Sequence, residues 1–533
     1  MKKKLISFVM TFAVITAGLV IPKAEPAHAA STKISSAKDL LAMEENPSGD
    51  YYLAKDITVP KNTCLFAGDT PFSGTLDGKG HKLKGYKSTS SPAIFQNAKF
   101  AEFKNLSVSN VDIKVNGTAA ALVCEADTCS FNNVSVSGTI VSGGKSGDVG
   151  AIAVHGNGEM KKCKNSTKIT VKGRELSTNA GGLAGDFEAT FLKDCSNSGT
   201  IKLSTSKKKY VFGSMDDDTQ TFTAAGLVAG KADVVASCKN AGDVTMDLNY
   251  SIDEAAWDKN TEYGIDICAV GICPHAANSI KASGNTGKIK VVSEKTSILG
   301  KAYVAGVAYL VCNGDGSSIP TTCYNTGAVS FSGTLTKDYA DNNSGFIGGV
   351  FGATCHGIGQ CYNKGNISVS YFSKHTGASV IGGVFGWSNY GNVKNCYNTG
   401  NVSVKNKGKK EWKSIQAGGL GGFANVYGKH GKPGNASCNY STGKVSYSSD
   451  VNHGLVIGGW EGPFMQDKCL IYNNYYKSSG KAYGNGDTSW KPFWPTGKKV
   501  SSITFGNCPK LSSKYWTYSS KYKRLVLKNN KEK

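Results

Sequence analysis

Few residues in this chain of 533 stand at spacings that do chemistry. Asp216-Asp217-Asp218 is the one dense carboxylate cluster, and hard oxygen donors of that kind can hold a calcium ion, although a solvated polar loop has the same composition. Cys268, Cys273 and His275, and Cys355-His356 with Cys361, offer soft ligands without the Cys-x-x-Cys spacing of a zinc site. No His-Glu-x-x-His occurs, which excludes a zinc metalloprotease of that class, and no Gly-x-Ser-x-Gly accompanies the eight scattered histidines. A polysaccharide hydrolase needs two carboxylates on one face, and a lyase's arginine base could only be Arg174 or Arg524, the two arginines present. Catalysis, a resident metal and a cofactor are therefore not expected.

The cysteines expose a repeat. Cys195-Ser-Asn197-Ser-Gly199, Cys238-Lys-Asn240-Ala-Gly242, Cys323-Tyr-Asn325-Thr-Gly327, Cys361-Tyr-Asn363-Lys-Gly365 and Cys396-Tyr-Asn398-Thr-Gly400 share one phrase, with a looser copy at Cys438-Asn439 that carries an extra residue. Upstream stands a glycine phrase such as Gly181-Gly182-Leu183, Gly348-Gly349-Val350 or Gly382-Gly383-Val384, and the cysteine follows the second glycine by 12 or 13 residues in most copies. Successive copies are 32 to 45 residues apart. Glycine and Asn-x-Gly punctuation every few residues, between short β-branched stretches such as Val402-Ser-Val404, excludes helical solenoids. Three strand candidates per unit, for instance Ile381 to Trp387, Val393 to Tyr397 and Asn401 to Lys405, make one coil of a right-handed parallel β-helix. The fold class is all-β, with about eleven coils counted from the glycine phrases.

Stacking like on like assigns roles to the repeated positions. Cys195, Cys238, Cys323, Cys361, Cys396 and Cys438 form an inward column, and Asn197, Asn240, Asn325, Asn363 and Asn398 an amide ladder at the next turn. Gly400 and its equivalents are assigned to positive φ. Cys312 and Cys355 each follow their second glycine by six residues, so in consecutive coils they stand within disulfide reach. If the cysteine points inward, the next residue points outward, and Tyr324, Tyr362 and Tyr397 form an exposed aromatic file near Trp387 and Tyr390. Such faces stack on sugar rings, or simply on each other.

The paired phrases resemble the GLUG repeat, named for its Gly-Leu-x-Gly core and found in exported bacterial β-solenoid proteins, many of them adhesin-like and displayed at the cell surface. The resemblance covers residues 93–476 and implies a binding or display function. Residues 30–92, with Tyr51-Tyr52-Leu53-Ala54 and Ser73-Gly74-Thr75-Leu76-Asp77-Gly78, are similar to the cap and opening coils that precede such repeats, closed by a short helix near Ser36 to Met43. Residues 477–533, with Tyr515-Trp516 and Leu525-Val526-Leu527, resemble a capping segment over the last coil.

Lys2-Lys3-Lys4, an apolar run from Leu5 to Val20 and Ala27-His28-Ala29 read as a signal peptide over residues 1–29. Cleavage removes four lysines and one glutamate and leaves 504 residues (533 − 29) at +19 (22 − 3). The mature chain then has no membrane span, and it is expected to be secreted and held non-covalently at a Gram-positive cell wall. Of 61 basic residues all but two are lysines, which argues against a sequence-specific nucleic-acid reader and for diffuse attraction to polyanions. The expected function is that of a monomeric adhesin-like protein attaching to glycans, cell-wall polyanions or host surface proteins. The alternatives are a carbohydrate-active β-helix enzyme and a non-catalytic spacer.

Overall fold

The computed structural model describes residues 31–532 apart from 207–208, 211–219, 250, 253–264, 294–298, 313–318, 334–344, 372–378, 408–414, 427–433, 449–450, 462–463, 466–467 and 485–494. Residues 1–29, expected to be a signal peptide, Asp216 to Asp218 and most of the Lys407 to Lys413 cluster lie outside the described residues. No described helix is long and apolar enough to cross a membrane.

The chain is a parallel β-solenoid with three long faces. One coil shows the pattern. Gly345–Gly348 lies on what we term the glycine face, Phe351–Thr354 and Gly357–Gly359 on the long face, and Tyr362–Asn363 with Ile367–Tyr371 on the asparagine face. The next coil repeats it in register, pairing Phe346 with Val380, Phe351 with Phe385, Tyr362 with Tyr397 and Ile367 with Val402. Along Ile367–Tyr371 the buried residues alternate with exposed or half-exposed serines, the period-2 pattern that a sheet covered on one side requires. The long face has fifteen strands, two of which (Phe95–Lys99 and Glu102–Lys104) share a layer, giving fourteen layers. Three of these, at Thr32–Ile34, Asp50–Leu53 and Thr75–Asp77, precede the eleven marked by glycine phrases, for a length of roughly 60 Å. The N-terminal plug is the helix Ala37–Leu41 and the 3₁₀ turn Ala42–Glu45, capped by the Ser36 hydroxyl accepting from Asp39 N at 3.2 Å, with Leu40 and Met43 buried in the core.

The turn after the cysteine column carries the amide ladder. Asn165 Nδ2 donates to Asn197 Oδ1, and the relay passes through Asn240, Asn285, Asn325 and Asn363 to Asn398, each step 2.7–2.8 Å. From Asn197 onward the second N–H of each amide closes its own turn, as in Asn363 Nδ2 to Gly365 O at 2.7 Å. Cys163, Cys195, Cys238, Cys323, Cys361 and Cys396 are buried beside it, Ser283 filling the missing step.

Four details differ from the expectations. Cys438 is not in the column: it is half-buried at a φ of 60°, and Asn439 takes the inward place, accepting from Cys396 N at 2.8 Å. The extra residue of that copy shifts the phrase by one. The strand expected over Ile381 to Trp387 is two strands, Ser379–Gly382 and Phe385–Ser388, broken at Gly383-Val384, where the chain turns from the glycine face to the long face. Gly400 has no positive φ. A Cβ there would stand 2.0 Å from Gly365 O, so the glycine serves close stacking, while the left-handed corner falls just before the column, on residues such as Asp194, Gln360 and Asn395 (φ 51–54°). Finally, Trp516–Ser519 and Arg524–Leu527 form an antiparallel hairpin that packs along the asparagine face and not over the last coil.

Asn363→Ala breaks the relay in both directions and strands buried partners, and the expected loss is about 3 kcal/mol. Asn401→Ala, on the exposed shoulder of the next coil, is the control. Urea unfolding of both variants checks the difference.

Candidate binding surfaces

The tyrosine file is real but covered. Tyr324, Tyr362 and Tyr397 point outward from successive coils, are continued by Tyr440 and Tyr475, and stack at 5.5, 5.1 and 4.9 Å between ring centroids from Tyr324 to Tyr440. The chain's own C-terminal segment lies on them, burying Val500, Ile503, Leu511, Trp516, Leu525 and Leu527 against the rings. Tyr362 and Tyr397 are 0% exposed. The phenol groups are used up in the contact: Tyr362 donates to Lys531 O (3.2 Å), Tyr397 to Glu532 Oε1 (2.5 Å) and Tyr440 to Leu525 O (2.7 Å). Burial pushes the Tyr397 and Tyr440 phenols well above their ordinary range and keeps them neutral donors. These three tyrosines are therefore not an open sugar-stacking file. Alternation alone placed them outward, and nothing local marks a cover supplied from more than a hundred residues downstream.

That cover is tied down by a buried charge cluster. Glu532, its side chain only 1% exposed, pairs with Arg524, which also donates to Tyr440 Oη at 3.1 Å, and Lys364 Nζ lies 3.4 Å from Glu532 Oε2. Trp516 Nε1 donates to Asn395 Oδ1 (3.0 Å), and the Asn530 amide reaches the carbonyls of Cys323 (3.0 Å) and Gln360 (2.9 Å). The repeat phrases carry no sign of this set, because Trp516, Arg524, Asn530 and Glu532 lie downstream of the repeats.

Trp387 and Tyr390 lie on a different surface. Tyr390 is exposed (41%) at a turn. Trp387 stands on the long face between Ala353 and Phe423, while Phe346 stands on the glycine face between Tyr303 and Val380. The two faces meet in an aromatic cluster: Tyr303 and Phe346 are 5.6 Å apart, Phe346 and Trp387 5.8 Å, and Tyr309 packs on both Tyr303 and Phe346. Burial pushes Tyr309 up to about 12 and raises the nearby Asp266 carboxyl, which accepts from Lys301 N at 2.7 Å. Along this corner, Trp387 Nε1, Asn389 Oδ1, Gln416 Oε1 and, farther up the long face, His275 Nε2 are buried without a hydrogen-bond partner among the described residues. Tyr303, Phe346 and Phe423 are legible only once the outward positions of both faces are aligned.

A third cluster joins two coils that the sequence keeps apart. His155 Nδ1 meets Glu125 Oε1 at 2.8 Å and its Nε2 meets Asp148 Oδ2 at 3.0 Å. The hydrogen bond to Asp148, then that to Glu125, pushes His155 up to about 10, and the His155 hydrogen bond lowers Glu125 in turn. Asp186 nearby is raised, first by burial and then by Asp148. The imidazolium spends both N–H groups on carboxylates, so the cluster is a charge bridge between coils. Arg174 does not line a groove. It is buried, donates to the carbonyls of Gly117 (3.1 Å), Gly144 (2.9 Å) and Gly143, and is pushed down to about 10 by desolvation.

Of the cysteine readings, Cys312 and Cys355 form a disulfide between consecutive coils with Cα atoms 4.9 Å apart, so Cys355 is no free ligand for His356. Cys268 and Cys273 are buried, Cys268 against Tyr303 and Cys273 in the central core, and burial pushes both thiols up.

Two outcomes follow. Replacing Glu532 by alanine leaves Arg524 and Lys364 facing an apolar cover, and the expected result is loosening of the C-terminal segment, read as faster proteolysis after Lys499 while the solenoid's far-UV spectrum is kept. For His155, a raised folded-state value means its stabilisation is full below the unfolded value near 6.5 and is lost as pH rises through about 10. Melting temperatures of the parent and His155→Gln are therefore expected to differ near pH 6 and to converge by pH 10.

No protein-family model matches this chain, and a search of curated proteins finds no match either.

Proposed function

We propose that this is an exported, adhesin-like β-solenoid of the GLUG-repeat kind that attaches to glycans without cleaving them. The observation that carries the reading is the corner between the glycine face and the long face. The half-buried rings of Tyr303, Trp387 and Phe423 gather there around the buried Phe346, and Trp387 Nε1, Asn389 Oδ1 and Gln416 Oε1 are desolvated with no hydrogen-bond partner among the described residues. Buried polar atoms are costly unless paired. A ligand that repays them while resting on aromatic rings must itself be apolar on one surface and rich in hydroxyls at its edges, which is the chemistry of a sugar ring. A lipid would leave the polar atoms stranded. The export signal and the lysine excess support work at a cell surface.

The test incubates the mature protein with immobilised host glycans and bacterial wall fractions, reading retained protein and released sugar together. Retention without release is expected, and Trp387→Ala is expected to weaken it about tenfold. Sugar release by the parent protein would replace the binder with an enzyme, and equal retention by the variant would remove the corner from consideration.

A further inference from the structure

The tyrosine file is half of a longer one. Its register runs upstream without interruption from Tyr324 through Gly284, Lys239, Ser196, Lys164, Ser135 and Ser107 to Lys82. Downstream of Gly284 the file is aromatic and the C-terminal segment fills the trough beside it. Upstream the same side is open, a cavity of about 370 Å³ along the asparagine face. Its outer walls are serine hydroxyls and the Lys82 and Lys164 side chains, and no carboxylate lines it. Neither lysine is ion-paired among the described residues, and Lys82 and Lys164 are exposed. Three coil steps separate them, about 14 Å along the axis.

The covered half shows what such a trough accepts. Lys364, which stands at the coil position of Ser166 and Ser198, approaches the buried Glu532 carboxylate to 3.4 Å, with Tyr397 Oη donating to that carboxylate from the tyrosine file itself. The segment that brings this anion in runs back along the solenoid as far as Cys323, where Asn530 is bound. One continuous file of register-related residues thus carries the C-terminal segment and an anionic group in its downstream part and, in its upstream part, lysines without an ion pair among the described residues and serine hydroxyls.

We infer that the upstream trough binds a linear polymer bearing phosphate or sulfate groups, with Lys82 and Lys164 taking separate anionic groups and serine hydroxyls between them donating to the oxygens, one of them from the hydrogen-bonded Ser107–Ser135 pair (2.8 Å). Charge favours this occupant over a neutral one, since the walls supply cations and donors and no acid. The inference deepens the attachment reading by naming a second site and its ligand class. It rests on other residues than the aromatic corner, so either can fail alone.

The experiment measures binding of full-length mature protein to long-chain polyphosphate, dextran sulfate and neutral dextran, at low and moderate salt. Salt-reversible binding to one or both charged polymers, and none to dextran, is expected, and which polymer binds identifies the group recognised. Lys82→Gln with Lys164→Gln is expected to weaken binding about tenfold, whereas the charge-matched pair Lys288→Gln with Lys290→Gln, on the same face but outside the trough, is expected to change it little. Ser135→Trp, which fills the trough at unchanged charge, is expected to block it; thermal melts verify folding of each variant. Equal losses in the two lysine pairs, undiminished binding by Ser135→Trp, or no binding of either charged polymer at low salt would each overturn the inference.

Discussion

Each inner asparagine of the ladder, from Asn197 to Asn363, spends one amide N–H on its own turn and the other on the next coil, and its oxygen accepts from the coil before. This divided use of one buried side chain carries most of the architecture. It fixes the turn between the cysteine column and the next strand, it fixes coil-to-coil register, and it does so in a low-dielectric interior where an unmade hydrogen bond is expensive. A relay that depends on every neighbour tolerates little variation, so the phrase around it repeats closely while the connections between the asparagine face and the next glycine phrase differ in length. Where the relay ends, at Ser441, the column changes as well: Asn439 and Asn474 carry a hydrogen bond of 3.0 Å between them in the place of cysteines.

Register has a second consequence, on the outside. Because inward and outward positions alternate along the strands and coils stack in register, a solenoid presents its surface as files, one residue per coil. The asparagine-face file changes from serine and lysine to tyrosine along its length, and the change in chemistry coincides with a change in what lies on it. Tyrosine suits a site that needs apolar area and a donor at the rim, and the C-terminal segment meets both with apolar side chains and backbone carbonyls. Lysine and serine suit a site wet with solvent or anions. One file is therefore divided into an intramolecular half and an open half, and the side chains change where the cover ends.

The charged groups that matter most to the fold are few. Arg174, Arg524, Glu532 and the Glu125–His155–Asp148 bridge are desolvated to differing degrees and paired with carbonyls or opposite charges, whereas most lysines sit in solvent. The two arginines are spent on multidentate contacts inside the structure, which guanidinium geometry favours, and the surface excess is left to lysine. That division explains why a chain with so large a positive charge still carries its ion pairs at specific places.

Much was legible before any fold was known. The period of the cysteine and glycine phrases identified a parallel β-solenoid, and like-on-like stacking identified the ladder, because residues one coil apart face the same environment. The same argument put Cys312 beside Cys355 and Tyr362 on the outside. Local spacing could not say which residue of the Cys438 copy faces inward, since an inserted residue changes register without changing composition. Nor could it say that the outward tyrosines are covered, that Asp148 reaches His155, or that Trp387 meets Phe346 across a corner. Those contacts join positions unrelated by the repeat, so only the path of the whole chain in space, and the free energy of burying one surface against another, decided them.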